Sequence, residues 1–433
     1  MWGVPEWGVP DSAILGASYD VVGLVPQLTA PKPPGDADVY CAKQPLRNPQ
    51  PVKQGEAYRM QSTHSLQVTP RHGFDRKAGI RVRFFSPKCI QVFQLNWLLL
   101  AMVVSAIAQS ENQRQVTSLI QQGQSALNNG DFARSTRSFE QARRLSPENL
   151  EVNRGLVLSY LQSGRLHDAE SAGQVATKRW PDDPQLQHWL GLAYFKEGQN
   201  AKALDALKRS ETLDASQFDI HFDVALVLLS EDQHAPAAEE LEKALKLDPK
   251  SALAHVLLGR TYQNTNRTVQ AIEQFQAALR LDPDIRLGHF HLGFAYASLG
   301  HNREAIAEYE KEVARAPNDP TVLHQLGRCR LEAGDLTSAA TNLKRAAEID
   351  PRNPDISYDL GKALLQQGDA QGAVIALRRA IELKPGSPSP HYQLARAFEK
   401  AGQKEEAEQE FQTFAELKKA QPAIGGMAAG PVQ

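Results

Sequence analysis

The strongest constraint on this chain is a period. Prolines stand at positions 147, 181, 249, 283, 317, 351 and 385, spaced by 34, 68, 34, 34, 34 and 34 residues, with Ala215 filling the gap. In that register, nine 34-residue units run without insertion from Val116 to Gln421. The eighth position reads Gly123, Val157, Gly191, Ala225, Gly259, Gly293, Gly327, Gly361 and Ala395. The twentieth is Ser135 and then alanine in every later unit, from Ala169 to Ala407. Small residues at two such positions let two antiparallel helices approach closely. Large residues at the seventh, eleventh and twenty-fourth positions fill the space around that contact, as with Leu258, Tyr262 and Phe275, or Leu292, Tyr296 and Tyr309. The fifteenth position is glycine or a turn-former, including Asp232 and Asn266, where a first helix must stop. Proline near the end of the unit stops the second helix.

This pattern resembles the tetratricopeptide repeat family, over 306 of 433 residues. The resemblance implies an all-α fold, a right-handed α-solenoid of nine stacked helix–turn–helix repeats. One helix pair cannot bury its apolar face alone, so stability comes from stacking neighbours. The last unit carries Lys419 in place of proline and a polar second helix (Lys404, Glu405, Glu406, Glu408, Gln409, Glu410), the character of a solvent-facing cap. Residues 422–433, with Gly425-Gly426 and Gly430-Pro431, read as a flexible tail.

The chain before the array is of two kinds. Residues 1–80 hold 10 of the 26 prolines and show no sustained apolar period, the composition of a disordered or mis-annotated N-terminal extension. Residues 81–108 read as a secretory signal peptide. Arg81, Arg83 and Lys88 precede an apolar core from Trp97 to Ala108, with the small residues Ala106 and Ala108 before Gln109. The dense apolar run is about 12 residues, short of the ~20 a membrane-spanning helix needs. An inner-membrane signal anchor is the competing reading. A leader beginning 80 residues in suggests a true start downstream of Met1, for instance at Val82. The expected location is therefore the periplasm or the outside of a bacterial-type cell, after cleavage near Ala108-Gln109. Membrane contact is expected only through an uncleaved leader.

Catalytic chemistry has little to stand on. No phosphate loop, nucleophile elbow or dinucleotide fingerprint is present, and the array leaves no stretch long enough for a catalytic domain. No cofactor, catalytic or metal-ligating residue is therefore assigned, and the chain is read as non-enzymatic. His221, His255, His289 and His391 recur at the fourth position, which points to ring packing. His289 and His291 are two residues apart on a helix and face different ways. Cys329 stands where sister units carry small residues and reads as a buried thiol; three widely spaced cysteines cannot form a disulfide framework. Acidic pairs such as Glu239-Glu240 and Glu405-Glu406 read as surface charge. Residues 109–433 hold 37 Lys/Arg against 43 Asp/Glu, which argues against nucleic acid as a partner.

The family resemblance implies that the first helix of each pair lines a concave groove and that its second, fifth, ninth and twelfth positions reach ligands. The ninth position includes Leu192, Leu226, Arg260, Phe294, Arg328, Lys362 and Arg396; the fifth adds Phe222, Phe290, Tyr358 and Tyr392. The expected partner is a protein or peptide, its apolar side toward Leu192, Phe222 and Leu226. Its acidic groups or free C-terminal carboxylate would meet Arg328, Lys362 and Arg396. Alternatively, the aromatics pack between helices and the cations pair with neighbours such as Asp359. The chaperone-tail clamp of some relatives is not matched, its positions reading for example Ile120, Gln124 and Gly155. These readings converge on an interaction scaffold in envelope assembly or secretion. The alternatives are an accessory subunit recruiting an envelope enzyme and, if the apolar run is not a signal, a cytosolic co-chaperone or regulator.

Overall fold

In the computed structural model the described backbone covers residues 87–420, with side chains described from residue 109 onward and at Met102. The extension at 1–80, the side chains of most of the 81–108 leader and the tail after 420 lie outside the described residues. Helix α1 (Pro87–Asn128) carries the first helix of unit one from Val116 and pairs with α2 (Phe132–Leu145). The next units are α3 (Leu150–Gln162) with α4 (Leu166–Arg179), α5 (Pro184–Lys196) with α6 (Asn200–Leu213), and α7 (Phe218–Ser230) with α8 (His234–Leu247). Then come α9 (Ala252–Asn264) with α10 (Thr268–Leu281), α11 (Gly288–Ser298) with α12 (Asn302–Arg315), and α13 (Pro320–Glu332) with α14 (Leu336–Ile349). The last two are α15 (Pro354–Gln367) with α16 (Ala370–Leu383) and α17 (Pro388–Lys400) with α18 (Lys404–Ala420). Successive helices pack in chain order from α2 on, and first helices of several neighbouring units also touch. The array is an all-α solenoid. Among residues whose side chains are described, no helix is long and apolar enough to cross a membrane.

The size pattern of the sequence is the packing rule of the array. A Cβ built on Gly259 would lie 2.6 Å from the Phe275 ring, and one on Gly361 would lie 2.5 Å from Leu377 Cγ. Position eight thus touches position twenty-four directly, and only a glycine or alanine leaves room beside the larger partner. Unit two exchanges the sizes: Val157 stands at position eight and Gly173 at position twenty-four, where the space is taken by Leu190. The twentieth-position residues Ser135, Ala169, Ala203, Ala237, Ala271, Ala305, Ala339 and Ala373 are completely buried. The fifteenth position takes left-handed backbone in all nine units. It does so with φ from 71° to 96° at seven glycines, and with φ 55° at Asp232 and 59° at Asn266.

Unit six departs from the pattern. Position thirty-four caps the following first helix in five places: Asn149, Asp183, Ser251, Asp319 and Asn353 each accept an amide hydrogen from the first turn, whereas the side chains of Gln217 and Ser387 do not. The residue at that position ahead of unit six is Ile285, whose side chain has no acceptor. The backbone instead turns through Leu287 at φ 59°, and α11 begins two residues late at Gly288. Its first-turn amide at Phe290 donates to Glu312 Oε2 at 3.3 Å. Gly288 is needed at this corner, since a Cβ would come within 2.8 Å of both Ile285 and Leu279.

Because the close approach at Gly259 has no slack, Gly259→Val is expected to destabilise the array by about 1–3 kcal/mol through overpacking against Phe275. Chemical denaturation followed by circular dichroism checks this.

Candidate functional site

The face built by the first helices is held together by pairs that cross from one unit to the next. His188 at position five of unit three meets Asp223 at position six of unit four, with Nε2 to Oδ2 at 2.6 Å. His324 and Asp359 repeat the arrangement between units seven and eight at 2.8 Å. Burial pushes the Asp223 carboxyl up, with His188 acting in the opposite sense. Tyr358 bonds Gln393 at the same pair of positions, and burial raises its phenol.

This crossing changes the roles of several expected groove residues. Leu192, Phe222, Leu226 and Phe290 are buried, at 3%, 9%, 5% and 8% exposure, so they are packing residues and do not form an open apolar wall. Phe222 and Leu226 belong to the cluster that includes Tyr262 and Phe275. Phe290 packs with Tyr309, Val322 and Leu326. The physical reason is the close stacking of first helices: an apolar side chain at position five or nine is covered by the neighbouring unit. Arg260, Phe294, Arg328, Tyr358 and Lys362 are half-buried, while Tyr392 and Arg396 are exposed. Tyr392 lies against Phe411 and Phe414 of α18, with ring centroids 5.8 and 5.3 Å away. Arg328 sits 3.6 Å from Asp359, which also holds His324, so this cation is partly neutralised within the array. Lys362 and Arg396 make no ion pair among the described residues. The chain therefore lines up a strip of cationic and aromatic residues over units five to nine, half-buried as far as unit eight and exposed in unit nine. The apolar half of the expected groove is core.

A cavity of about 300 Å³ opens on this strip. Its walls include Arg260, Gln263, Phe290, His291, Phe294 and Asn353. Gln263 falls at the twelfth position, among those expected to face the groove, although it was not singled out; His291, at position six, lies outside that set.

The fourth-position histidines are hydrogen-bonded clasps, more specific than the ring packing expected of them. Nδ1 of His221, His255, His289 and His391 lies 2.8, 2.7, 2.5 and 2.6 Å from Glu240, Gln274, Glu308 and Glu410 on the second helix of the same unit. The far nitrogen of His221 reaches Ala215 O at 3.1 Å, and that of His255 reaches Pro249 O at 3.2 Å. Asn153 and Gln187 make the same link with amide nitrogens, to Pro147 O at 2.9 Å and Pro181 O at 3.2 Å.

Glu240 is a correction to the surface-charge reading. It is 4% exposed and sits within a network with Glu211, His221, Lys208 and Lys243. Glu211, His221 and Glu240 are close enough to share a cation, but the two lysine ammoniums already neutralise the carboxylates. Both carboxyls fall below the usual carboxylate range, with the lysine hydrogen bonds outweighing the upward push of burial. A second trio, His167, Glu170 and Glu197, is more exposed. There the two carboxyls share a hydrogen bond, which lowers Glu170 and raises Glu197. Cys329 is a free, buried thiol, and burial pushes it up to about 12, so it is unreactive.

The geometry defines a class: an all-α array of repeated helix–turn–helix pairs. Sequence models of the tetratricopeptide repeat match residues 120–184, 157–219, 189–252 and 324–388, with further matches at 228–291, 364–429 and 288–319. The chain belongs to the tetratricopeptide repeat family, a family of protein-interaction scaffolds that are typically non-enzymatic. No curated protein sequence matches it significantly. Solved structures similar to it include the Cut9–Hcn1 hetero-tetramer of APC/C, at 17% identity and TM-score 0.42, covering 61% of this chain and 52% of the other. This chain thus spans about half the length of that relative. YrrB, described as a TPR protein with an unusual peptide-binding site, is 23% identical with TM-score 0.40, over 43% of this chain and 96% of the other. The C-terminal part of a TPR repeat-containing protein from Cytophaga hutchinsonii is 18% identical with TM-score 0.45, over 53% and 95%.

The lowered Glu211 and Glu240 carboxyls fix a pH dependence. Their contribution is fully present above ~4.3, where glutamates of the unfolded chain ionise. It is lost as pH falls through their lower folded-state values. Thermal melts between neutral and strongly acidic pH should show a smaller acid-induced drop in Tm for Glu211→Gln/Glu240→Gln than for the unmodified chain.

Proposed function

We propose that the chain is a non-enzymatic scaffold that binds an acidic peptide, or an acidic partner helix, along the first-helix face of its C-terminal units. The observation that carries this reading is the pair of unneutralised cations Lys362 and Arg396, each one helical turn from an aromatic ring, half-buried Tyr358 and exposed Tyr392. Cations without internal partners, alongside flat apolar surface, suit carboxylates carried on an extended chain. A free C-terminal carboxylate offers the same chemistry. Arg328 contributes less, because Asp359 already faces it.

The same proposal places the array in the bacterial envelope, in assembly or secretion. Its support is the basic, apolar and small-residue order of residues 81–108. Sequencing the N-terminus of the envelope-associated protein tests this. A start at Gln109 supports export with cleavage, a retained segment supports an inner-membrane anchor, and recovery only from the cytosol overturns both.

For the binding face, Lys362→Ala/Arg396→Ala is expected to weaken capture of an acidic partner roughly tenfold, with a smaller salt dependence of binding and unchanged helicity. Isothermal titration at low and moderate salt provides the measurement. Equal affinity of both proteins moves the interface elsewhere on the array.

A further inference from the structure

The cavity on the first-helix face carries an unmet hydrogen-bonding demand. Two of its wall residues, His291 and Gln263, each hold a shielded Nε2 atom with no hydrogen-bond partner among the described residues. Such groups cost stability and are rare enough to need an explanation. For His291 the cause is positional. It stands at position six, where Asp223, Asp359 and Gln393 are each held by the fifth-position residue of the preceding unit. The residue in that place before His291 is Val256, which has no polar group.

The ring of His291 is also fixed in place. It stacks on Phe275 at 5.5 Å and meets Phe290 edge-on at 5.6 Å. Burial, with Arg260 nearby, pushes its pKa down to about 3, so the imidazole is neutral at working pH and offers hydrogen bonding without charge. The rest of the cavity is balanced in charge, with Arg260 and Asp350 both on its wall. Phe290, Phe294 and Ile356 supply apolar surface. Beside it lies the one first helix among the described residues that starts after a left-handed non-glycine residue, Leu287. Such backbone persists where its surroundings hold it, often at ligand sites.

A volume of about 300 Å³ has room for one large side chain. We propose that this cavity is a specificity pocket for a tyrosine side chain of the bound partner. The proposal rests on the reading that the first-helix face binds a peptide. The ring lies against Phe290 and Phe294, and the hydroxyl reaches the two unpaired nitrogens. A hydroxyl both accepts and donates, so it takes a hydrogen from the Gln263 amide and serves His291 in either tautomer. A carboxylate can only accept, and it brings a charge that this balanced pocket does not offset. Phenylalanine fills the space but leaves both nitrogens unpaired, the situation in which a polar site rejects an analogue lacking the hydroxyl.

The test uses the full chain and a short labelled peptide rich in glutamate with one central tyrosine, beside copies carrying phenylalanine or glutamate at that place. Fluorescence anisotropy should show the tyrosine peptide binding roughly three- to tenfold more tightly than either copy. Gln263→Leu and His291→Leu should each erase that preference while leaving the phenylalanine peptide unaffected. Gln263 is only half-buried, so its variant remains informative if His291→Leu misfolds. Equal binding of the tyrosine and phenylalanine peptides overturns the pocket. If that equal binding still falls in Lys362→Ala/Arg396→Ala, the groove reading survives alone. No binding of any peptide overturns both.

Discussion

The array depends on one contact, a residue with almost no side chain at position eight against a large one at position twenty-four. It sets how near the two helices of a unit lie, and hence where every other side chain of the unit points. Phe139 shows how tight the arrangement is: its ring fills the space beside Gly123 of its own unit and Gly155 of the next. The exchange in unit two, Val157 with Gly173, keeps the total volume while reversing which helix carries it. Such swaps are tolerated because the interior requires filled volume more than a fixed residue order. A solenoid has no central core to absorb an error, so each interface must satisfy this rule locally.

Close stacking also decides what remains for ligands. Once first helices approach, the fifth-position residue of one unit reaches the sixth-position residue of the next, and polar residues there become register pins. His188 with Asp223 and His324 with Asp359 are such pins, and the fourth-position residues Asn153, Gln187, His221 and His255 tie units two to five to the loops before them. Most polar groups that look available in sequence are thereby consumed. Among the groups left over are two cations near the C-terminal end and, of seven unpaired buried atoms among the described residues, two nitrogens that share one cavity.

The fold was legible because its determinants are local and repeated. Helix ends could be placed from the fifteenth position alone, and the nine left-handed residues found there include Asp232 and Asn266. Unit six was legible too, in the cap column, where Ile285 replaces a hydrogen-bond acceptor; matching on proline and glycine passed over it. The binding face was harder. Leu226 and Phe222 stand at positions that face outward when a single helix pair is considered, and only the neighbouring unit buries them. Glu240 was misread for a related reason, since Lys208, one of the cations that neutralises it, lies on the second helix of the preceding unit. Pairs one repeat plus one residue apart, such as 188 with 223, become visible only when the period is applied to side-chain chemistry as well as size.

The irregular unit has a mechanical meaning in a one-dimensional array. Because stability is close to a sum of neighbour terms, the weaker start of α11 and the orphaned His291 and Gln263 burden units five to seven alone. The units on either side contribute their own neighbour terms and hold that stretch folded. A ligand that pairs these two nitrogens would stabilise the interfaces around that cavity. Binding and local stability are then linked: whatever pairs His291 and Gln263 also tightens the stacking of α9, α11 and α13, so partner affinity and protection of that segment rise together.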